Sequence, residues 1–465
     1  MTPANPKYNT RYLFAISMVA ALGGLLFGYD WVVIGGAKPF YELFFDISQS
    51  PALQGWAMSS ALLGCLLGAV ASGMFSDRYG RKALLIFSAF LYTLSALGTG
   101  AAHQYQTFIL YRILGGIGIG LTSNLSPIYI AEVAPASIRG KFVSLNQLTI
   151  VIGILLAQLA NWQIAEPVAP GATDGEILAS WNGQMAWRWM FWAETIPAAL
   201  FFLLIFFVPE SPRWLAKRGK VTKVETILAR IGGAEYARRE HANIRETLAG
   251  ETAKVQFRQL FEPGIKKVLL IGVVIAAFQQ WCGINVIFNY AEEVFEAAGY
   301  GVSDILFNIV VTGSVNLAFT FVAIYTVDKL GRRALMLLGA GGLAAIYTLI
   351  GAAYYFQISG AMLLLLVVLA IACYAMSLAP VTWVVLSEIF PNRIRGAAMA
   401  VATVSLWLAS FLLTYTFPLL NSAFGASGTF WLYGIICLGG LLFIYRTLPE
   451  TKGKSLEEIE HETIH

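Results

Sequence analysis

Long apolar runs separated by short polar stretches make up most of this chain. Twelve runs are each about 20 residues long, enough for a helix rising ~1.5 Å per residue to cross a ~30 Å hydrocarbon layer. Because the strands of a membrane barrel would alternate polar and apolar residues over ~10 positions, continuously apolar runs predict helices. The predicted spans are residues 12–36, 54–76, 83–102, 107–131, 144–165, 187–208, 267–290, 304–327, 334–355, 361–386, 396–420 and 428–448.

The composition agrees with a membrane protein. Hydrophobic residues make up 57% of the 465 positions and charged residues only 12%, which argues against a set of soluble domains. The first run is too long for the core of a signal peptide and no cleavage site follows it, so we expect it to remain as a span. The cysteines lie in apolar runs and are interpreted as buried hydrophobic residues: Cys65, Cys282, Cys373 and Cys437.

The placement of charge predicts the orientation of the chain. Lys and Arg are concentrated in alternate loops, such as those at residues 78–82, 139–141 and 329–333, whereas the intervening loops carry mostly acids. Lys38 is the clear exception to this alternation. Loops rich in Lys and Arg face the cytoplasm, so both termini are predicted to be cytoplasmic. Two cytoplasmic termini require an even number of spans, in agreement with twelve.

Three loop motifs of the first half recur in the second. GMFSDRYGRK at 73–82 is matched by TVDKLGRRA at 326–334, AEVAPASIRG by SEIFPNRIRG, and VPESPRWL by LPETKGKS. Such repeats are typical of secondary transporters, which place a site between two moving halves. The predicted domains are six-helix bundles at 1–208 and 267–448, a cytoplasmic linker of short amphipathic helices at 209–266 and a cytoplasmic tail at 449–465. Glutamates interspersed in the linker favour a solvated face over contact with nucleic acid or lipid.

The repeated loops also combine acids with bases. An acid at the end of a span, followed by a glycine turn and Arg or Lys, can pair with charged groups of a neighbouring loop. Such pairs could latch the halves on the cytoplasmic side while the outside is open. Topology alone is the alternative interpretation, although it requires only the bases. The candidate gating residues are Asp77, Arg81, Glu132, Arg139, Asp328, Arg332, Glu388 and Arg395.

Ionisable residues lie deep in three predicted spans of the first half: Asp30, Arg112 and Glu194. Each costs ~2.5 to 3.5 kcal/mol on insertion, so such residues usually face a partner or a cavity. If the three form a cluster, a carboxylate whose partner can move could load and release a proton. The alternatives are an arginine that reaches the membrane surface and a glutamic acid with only a structural role.

Uncharged amides form a second set of polar residues. Amides donate and accept hydrogen bonds without charge, which suits the hydroxyls of a neutral polyol better than an ion or a phosphate. Tryptophan adds a flat face with one N–H donor. Amides in membranes often bond only between helices, and tryptophan often lines the membrane interface, so both alternatives stay open. The candidates are Gln147, Gln279, Gln280, Asn285, Asn316, Trp383 and Trp407; Gly283 is expected to help expose Gln280 and Asn285 to one cavity.

Taken together, GMFSDRYGRK, YRILGGIGIGL, SPIYIAEVAPASIRG, VPESPRWL, QQWCGIN, DKLGRR, SEIFPNRIRG and LPETKGKS resemble the sugar porter family of the major facilitator superfamily. The pattern is most similar to bacterial proton symporters for pentoses and hexoses. The resemblance spans nearly the whole chain. It implies an all-α membrane protein with twelve transmembrane helices in two pseudo-symmetric six-helix bundles, alternating access and a monosaccharide site at mid-membrane.

The resemblance also implies roles for individual residues. It gives the amides above and Trp383 sugar hydrogen bonds, and makes Phe27 and Trp407 aromatic walls of the pocket. Asp30 matches the acid that distinguishes proton symporters from facilitators, which typically have asparagine there, and Arg112 and Glu194 match its usual associates. Departures leave the sugar undecided, with a pentose favoured and a hexose as the alternative: Leu406 replaces an amide, Asn289 a tyrosine and Trp31 a small residue, and residues 376–380 lack a glycine.

The sequence therefore predicts a secondary active transporter, not an enzyme, that imports a monosaccharide with protons across a bacterial inner membrane. Its partners are the sugar, the proton and the bilayer; we expect a functional monomer without cofactor, metal or nucleic acid. A facilitative uniporter with a structural Asp30 is the closest alternative. A nutrient sensor is disfavoured by the short tail after Pro449, and an enzyme by the lack of a nucleophile or metal-ligand constellation.

Overall fold

The computed structural model describes residues 8–169, 171–250, 260, 262–297, 299–358, 360–391 and 394–452. Within these ranges the chain is helical apart from short connections, and it contains no strand. Eleven helical stretches of the described chain are long and apolar enough to cross a membrane. The last of them contains two spans, because Gly425 has φ 67° and interrupts the helix. The predicted fold class of twelve transmembrane helices is thus confirmed.

The first half consists of five long helices and a sixth, interrupted span. The sixth span begins with a π-helical turn at Asn182–Ala186 and ends with a 3₁₀ turn at Ile205–Phe207. Pro197 cannot donate to the carbonyl of Ala193, so the helix is interrupted at Glu194. The helices are α1 (Thr10–Phe44), α2 (Pro51–Tyr79), α3 (Arg81–Ala101), α4 (Tyr105–Val133), α5 (Arg139–Ile164), the short α6 (Asp174–Ala179), α7 (Trp187–Ala193) and α8 (Thr195–Leu204).

The linker contains α9 (Pro212–Lys217) and α10 (Val221–Gly250), the second interrupted at Gly233, where φ is 84°. The hydroxyl of Ser211 caps α9 by accepting a hydrogen bond from the backbone N–H of Trp214 at 3.2 Å. The linker has its own small apolar core, formed by Leu215, Val224, Leu228, Ile231, Tyr236 and Ala237. The backbone N–H of Asn9 donates to the carbonyl of Ile231 at 2.7 Å, so the linker lies beside the start of α1. We call this the linker end of the molecule and the opposite end the distal end.

The second half has the same alternation of long and interrupted helices. Gly283, with φ 85°, separates the first two of its helices. Since this conformation is disfavoured for residues with a side chain, glycine allows the span to break there. The helices are α11 (Pro263–Trp281), α12 (Ile284–Asn289), α13 (Ala291–Glu296), α14 (Val302–Leu330), α15 (Arg332–Tyr355), α16 (Ala361–Met376), α17 (Leu378–Ile389) and α18 (Arg395–Thr447).

Close contact between α1 and α5 positions the functional part of α1. A Cβ added at Gly28 would lie 1.9 Å from the carbonyl oxygen of Ile150, and one at Gly153 would lie 2.0 Å from that of Leu25. Small residues let the backbones of membrane helices approach in this way. The contact fixes the rotation of α1 and hence the directions in which Phe27 and Asp30 project.

The two halves meet toward the distal end. The ring centroids of Trp56 on α2 and Phe411 on α18 are 6.2 Å apart, and those of Trp162 on α5 and Phe307 on α14 are 5.8 Å apart. Helix α1 is longer than its apolar run predicted, because it continues past Lys38 to Phe44. The extension brings charged residues of the first half against the second half.

Candidate functional site

A cluster of three buried ionisable residues lies in the middle of the first half. Nη1 of Arg112 on α4 donates to Oδ1 of Asp30 on α1, and Nη2 approaches the backbone carbonyl of Asp30 at 3.3 Å. The exposed fractions of Asp30, Arg112 and Glu194 are 1%, 2% and 2%. The guanidinium also lies 5.5 Å from the ring centre of Phe191, a cation–π contact. The structure therefore brings together the three residues that the sequence singled out.

The cluster contains two carboxyl groups and only one cation. Glu194 lies close enough to Asp30 and Arg112 to interact electrostatically with both, and Oδ2 of Asp30 accepts no hydrogen bond from any described donor. With both carboxyls ionised the cluster has a net charge of −1, since one guanidinium offsets one carboxylate. Buried uncompensated charge is costly, so one bound proton makes the cluster neutral. The arrangement is suited to binding and releasing a single proton.

A cavity of about 10 Å³ lies beside this cluster and connects it to the second half. This volume has room for about one water molecule. It is lined by Asp30, Arg112 and Trp31 of the first half and by Asn289 of the second, among others. The side-chain oxygen of Asn289 has no hydrogen-bond partner among the described residues although it is buried. The cavity places a polar group of the second half next to the carboxyl of Asp30.

Three aromatic rings meet across the two halves, beside the cluster. The ring centroids of Phe27 and Trp31 on α1 are 5.8 Å apart, and Trp407 on α18 lies 5.8 Å from Phe27 and 6.1 Å from Trp31. Trp407 is 3% exposed, and its Nε1 donor has no partner among the described residues. The structure thus explains Trp31, which the sequence identified only as a departure: it packs as the third ring of an aromatic wall.

The amides of the second half form a connected set. Nε2 of Gln279 donates to the hydroxyl of Tyr374 at 2.8 Å, Gln280 donates to Gln279, and Asn285 donates to Gln280. The break at Gly283 makes the last bond reachable, because it ends α11 before Asn285 and restarts the helix in a new direction. Tyr374 on α16 was not identified from the sequence, since it lies in a continuously apolar run with no neighbouring polar signal.

Three other predicted sugar contacts lie outside this set. Asn316 on α14 is buried, and its carbonyl accepts a hydrogen bond from the hydroxyl of Thr320 at 2.8 Å. Gln147 on α5 is exposed, whereas the neighbouring Asn146 is buried. Trp383 on α17 is 38% exposed. The structure does not join these three to the aromatic or the amide group.

The predicted gating residues form two similar networks at the linker end. Arg81 pairs with Asp77 at 3.3 Å and with Glu132 at 3.0 Å, and Arg332 pairs with Glu388 at 3.2 Å. Each network also contains a glutamate that accepts a hydrogen bond from the backbone N–H at the start of a helix. Glu210 accepts from Arg81, the first residue of α3, at 3.1 Å, and Glu450 accepts from Arg332, the first residue of α15, at 2.9 Å. These glutamates were not among the candidates, although the repeated motifs VPES and LPET contain them.

Among the described residues, the ion pairs Arg81–Glu132 and Arg332–Glu388 each lie within one half. Asp77 also binds Lys217 of the linker at 2.7 Å. Arg139 is exposed at the start of α5, and Nε of Arg395 donates to the carbonyl of Phe390 in its own loop at 3.2 Å. The side chain of Asp328 lies outside the described residues. The contacts of the described residues thus do not include the predicted latch between the halves, and a gating role stays a prediction.

Known proteins are similar to this chain over nearly its whole length. A family model described as "Sugar (and other) transporter" matches residues 16–462. The D-xylose-proton symporter of Escherichia coli K12 is 41% identical over 486 residues, covering 98% of this chain and 96% of that protein. The arabinose-proton symporter of Bacillus subtilis 168 is 38% identical, with the same coverage of each chain. The inward-open structure of the xylose transporter XylE from E. coli matches with a TM-score of 0.84 at 39% identity, covering 97% of this chain and 100% of that one.

Proposed function

The chain belongs to the sugar porter family of the major facilitator superfamily, and from this premise we propose that it imports a monosaccharide by proton symport with alternating access. It is a multi-pass membrane transporter and not an enzyme. A pentose such as D-xylose or L-arabinose is favoured over a hexose, because two relatives similar to nearly the whole chain are named for these pentoses.

The observation that carries this proposal is the contact between a proton-binding cluster and an aromatic wall on the same helix. Asp30 lies one turn after Phe27 and directly before Trp31 on α1. A proton on Asp30 removes its charge and weakens its bond to Arg112 on α4. Helix α1 can then move relative to α4, and Phe27 and Trp31 move with it. Proton binding and the shape of the sugar pocket are thereby linked through one helix.

The proposed sugar pocket uses both halves. Phe27 on α1 and Trp407 on α18 supply flat apolar faces, and the connected amides Gln279, Gln280 and Asn285 supply donors and acceptors. Hydroxyl groups can replace the hydrogen bonds that these amides make with one another. Gln147, Asn316 and Trp383 remain proposed contacts, which we expect to reach the sugar when the halves close around it.

We further propose a bacterial inner-membrane location with both termini in the cytoplasm, on the basis of the alternating basic loops, and a functional monomer. In this orientation the linker end is cytoplasmic. The networks around Arg81 and Arg332 lie at that end, where the structure shows each within its own half. We propose that they come together across the halves when the linker end closes.

Transport by purified protein in proteoliposomes tests the proposal. With a panel of labelled pentoses and hexoses, the wild type is expected to exchange one sugar in counterflow and to concentrate it under an imposed pH gradient. Asp30→Asn is expected to keep counterflow and lose accumulation. Asp46→Asn, the same change at an exposed loop position where φ is 53°, is the matched control, because asparagine tolerates that conformation.

The outcomes separate the alternatives. Accumulation by Asp30→Asn equal to the wild type would show that Asp30 is not the coupling acid. Counterflow without accumulation in the wild type would favour a facilitative uniporter. The absence of exchange for every monosaccharide in the panel would contradict the sugar proposal itself.

A further inference from the structure

A second buried charge cluster lies at the distal end and joins the two halves. Nζ of Lys38 on α1 lies 2.8 Å from Oε1 of Glu293 and 3.1 Å from Oε2 of Glu292, both on α13 of the second half. It lies 3.0 Å from Oε2 of Glu42, one turn further along α1. Lys38 is 3% exposed. We call these four residues the distal cluster.

The surrounding contacts hold the distal cluster closed. Nε2 of Gln54 on α2 donates to Oε2 of Glu42 at 2.9 Å and to the carbonyl of Ser48 at 3.0 Å. One turn before Lys38, a Cβ added at Gly35 would lie 3.0 Å from the carbonyl oxygen of Phe288. The end of α1 therefore fits directly against the backbone of α12, and the ion pairs lie where the halves are in contact.

We propose that Lys38 is the positioning residue of a distal gate, which holds α13 of the second half against α1 of the first while the linker end is open. For the distal end to open, Glu292 and Glu293 must leave Lys38. The inference rests on the proposed alternating-access transport and adds to it the group that fastens one of the two gates. It also gives a function to the single lysine that departs from the alternation of basic and acidic loops.

Because the distal cluster contains more acids than bases, the direction in which removal of Lys38 shifts the gate can be predicted. The cluster contains one ammonium and three carboxyl groups, so its charge is −2 when all are ionised. Without Lys38, Glu42 of the first half faces Glu292 and Glu293 of the second with no cation between them. Carboxylates that share one buried ammonium repel one another strongly once that ammonium is removed, because water is excluded. A neutral residue at position 38 is therefore expected to push the distal end open.

Protonation of Glu293 also favours the closed gate. Glu293 lies between the spans, and burial raises its pKa to about 7 against the lowering effect of the Lys38 ammonium. In an open gate the carboxyl faces water and returns toward its ordinary pKa of about 4.3. The closed state thus binds more protons, and acidification favours it. The titratable groups around the cluster are Lys38, Tyr41 and Glu42 on α1, Tyr105 on α4, Asp174 on α6, Tyr290 before α13, and Glu292 and Glu296 on α13.

The test measures the distance between the halves at the distal end by pulsed electron paramagnetic resonance. Spin labels replace Gln49, in the loop after α1, and Ala423, next to Gly425 in α18; both positions are exposed. Cys373 is changed to serine in all variants, because it is only partly buried whereas the other cysteines are buried. The measurement is made in lipid nanodiscs at pH 8 without sugar, so it does not depend on which sugar is transported.

The expected result is a short distance in the wild type and a longer one in Lys38→Met. Because removal of one partner from a buried ion pair is strongly destabilising, the ratio of closed to open molecules should fall at least about 100-fold. Lys38→Arg keeps the cation and should stay within about threefold of the wild type. Lys266→Met, at an exposed lysine of α11, is the matched control for the same change and should leave the distance unaltered.

A suppressor variant separates repulsion from a general loss of structure. In Lys38→Met combined with Glu292→Gln and Glu293→Gln, the excess negative charge is gone and the short distance should return. Lys38→Met with the wild-type distance, or a combined variant no more closed than Lys38→Met, would overturn the proposal. If Lys38→Met does not elute as a monodisperse protein, Lys38→Gln decides in its place: it also removes the cation, so the distance should lengthen, and an unchanged distance would contradict the proposal.

The proposed function and the distal gate fail in different ways. A wild type that shows no proton-driven accumulation, together with the expected distance change, would overturn symport and leave the gate. Normal symport by the wild type, together with an unchanged distance in Lys38→Met, would overturn the gate and leave symport.

Discussion

The two buried charge clusters of this transporter are similar in composition, but they differ in which parts of the molecule they connect. Both place one cation among an excess of carboxyl groups: Arg112 with Asp30 and Glu194, and Lys38 with Glu42, Glu292 and Glu293. The first lies within one half, whereas the second joins both. A cluster within one half can change its protonation without separating the halves. A cluster that joins the halves must break whenever they separate at that end.

This difference assigns separate tasks to the two clusters. In the proposed mechanism, the middle cluster determines how α1 is held by α4 and responds to the proton. The distal cluster controls whether α13 stays on α1 and therefore responds to the conformation. Substitutions in one cluster at a time should therefore affect either proton coupling or gate closure, and not both.

The largest effect is expected at the middle cluster. Arg112→Met leaves the buried carboxyls Asp30 and Glu194 without their cation, which should lower the free energy of unfolding by about 3 to 5 kcal/mol and abolish accumulation. Adding Asp30→Asn should recover part of the stability, because it removes one unpaired charge. Thermal unfolding and proteoliposome uptake measure both effects. Arg230→Met, at an exposed residue of the linker, is the control. Equal stability of Arg112→Met and the wild type would contradict the account.

The pH dependence of the distal gate should be the next largest. Because the pKa of Glu293 is about 7 when the gate is closed, closure gains from protonation below that pH, and the gain saturates near the ordinary pKa of about 4.3. Lowering the pH from 8 to 5 should raise the ratio of closed to open molecules more than tenfold in the double-labelled protein. Glu293→Gln should reduce this response. A ratio independent of pH in the wild type would show that Glu293 does not titrate with the gate.

A smaller effect is expected at the aromatic wall beside the middle cluster. Trp31→Ala removes a ring that contacts both Phe27 and Trp407, so the dissociation constant of the sugar should rise about tenfold, a loss of about 1.4 kcal/mol. Trp31→Phe should bind nearly as well as the wild type. Calorimetric titration with the transported sugar measures this. Trp189→Ala, at an exposed ring, is the control, and equal affinity in Trp31→Ala would place the sugar elsewhere.

The smallest effect is expected at the linker end. Arg81→Gln and Arg332→Gln each remove a partly buried ion pair within one half, and each should slow uptake by a few-fold because an ion pair that water still reaches contributes about 1 kcal/mol or less. The pseudo-symmetry of the networks predicts similar losses for the two variants. Initial rates of uptake measure them. A loss of transport in one variant and none in the other would show that the two networks are not equivalent.

Much of this architecture was predictable from the sequence. The apolar runs predicted the helices because the length and continuity of a run are local properties. The cluster of Asp30, Arg112 and Glu194 was predictable because a charged residue in such a run needs a partner, and few other candidates were present. Gly283 was recognisable as a residue that helps expose Gln280 and Asn285 to one cavity, and the structure shows that it does so by interrupting the helix.

The distal cluster and the aromatic wall were not predictable in this way. Lys38 and Glu292 are 254 residues apart in the chain, and no local pattern indicates that they meet. The apolar run ends before Lys38, yet α1 continues because Lys38 and Glu42 pair along the helix and remain buried against the second half. Trp31 and Tyr374 are apolar or amphipathic residues in apolar runs, so only their tertiary contacts distinguish them from lipid-facing neighbours.

Sugar-induced proton movement is the most direct test of the central claim that Asp30 couples the proton to the sugar. The sugar that exchanges in counterflow is added to proteoliposomes in a weakly buffered medium while the external pH is recorded. The account predicts that the medium becomes more alkaline as protons enter with the sugar, and that Asp30→Asn abolishes this signal while still exchanging labelled sugar. An equal alkalinisation by Asp30→Asn, or sugar entry into wild-type vesicles without any proton movement, would contradict it.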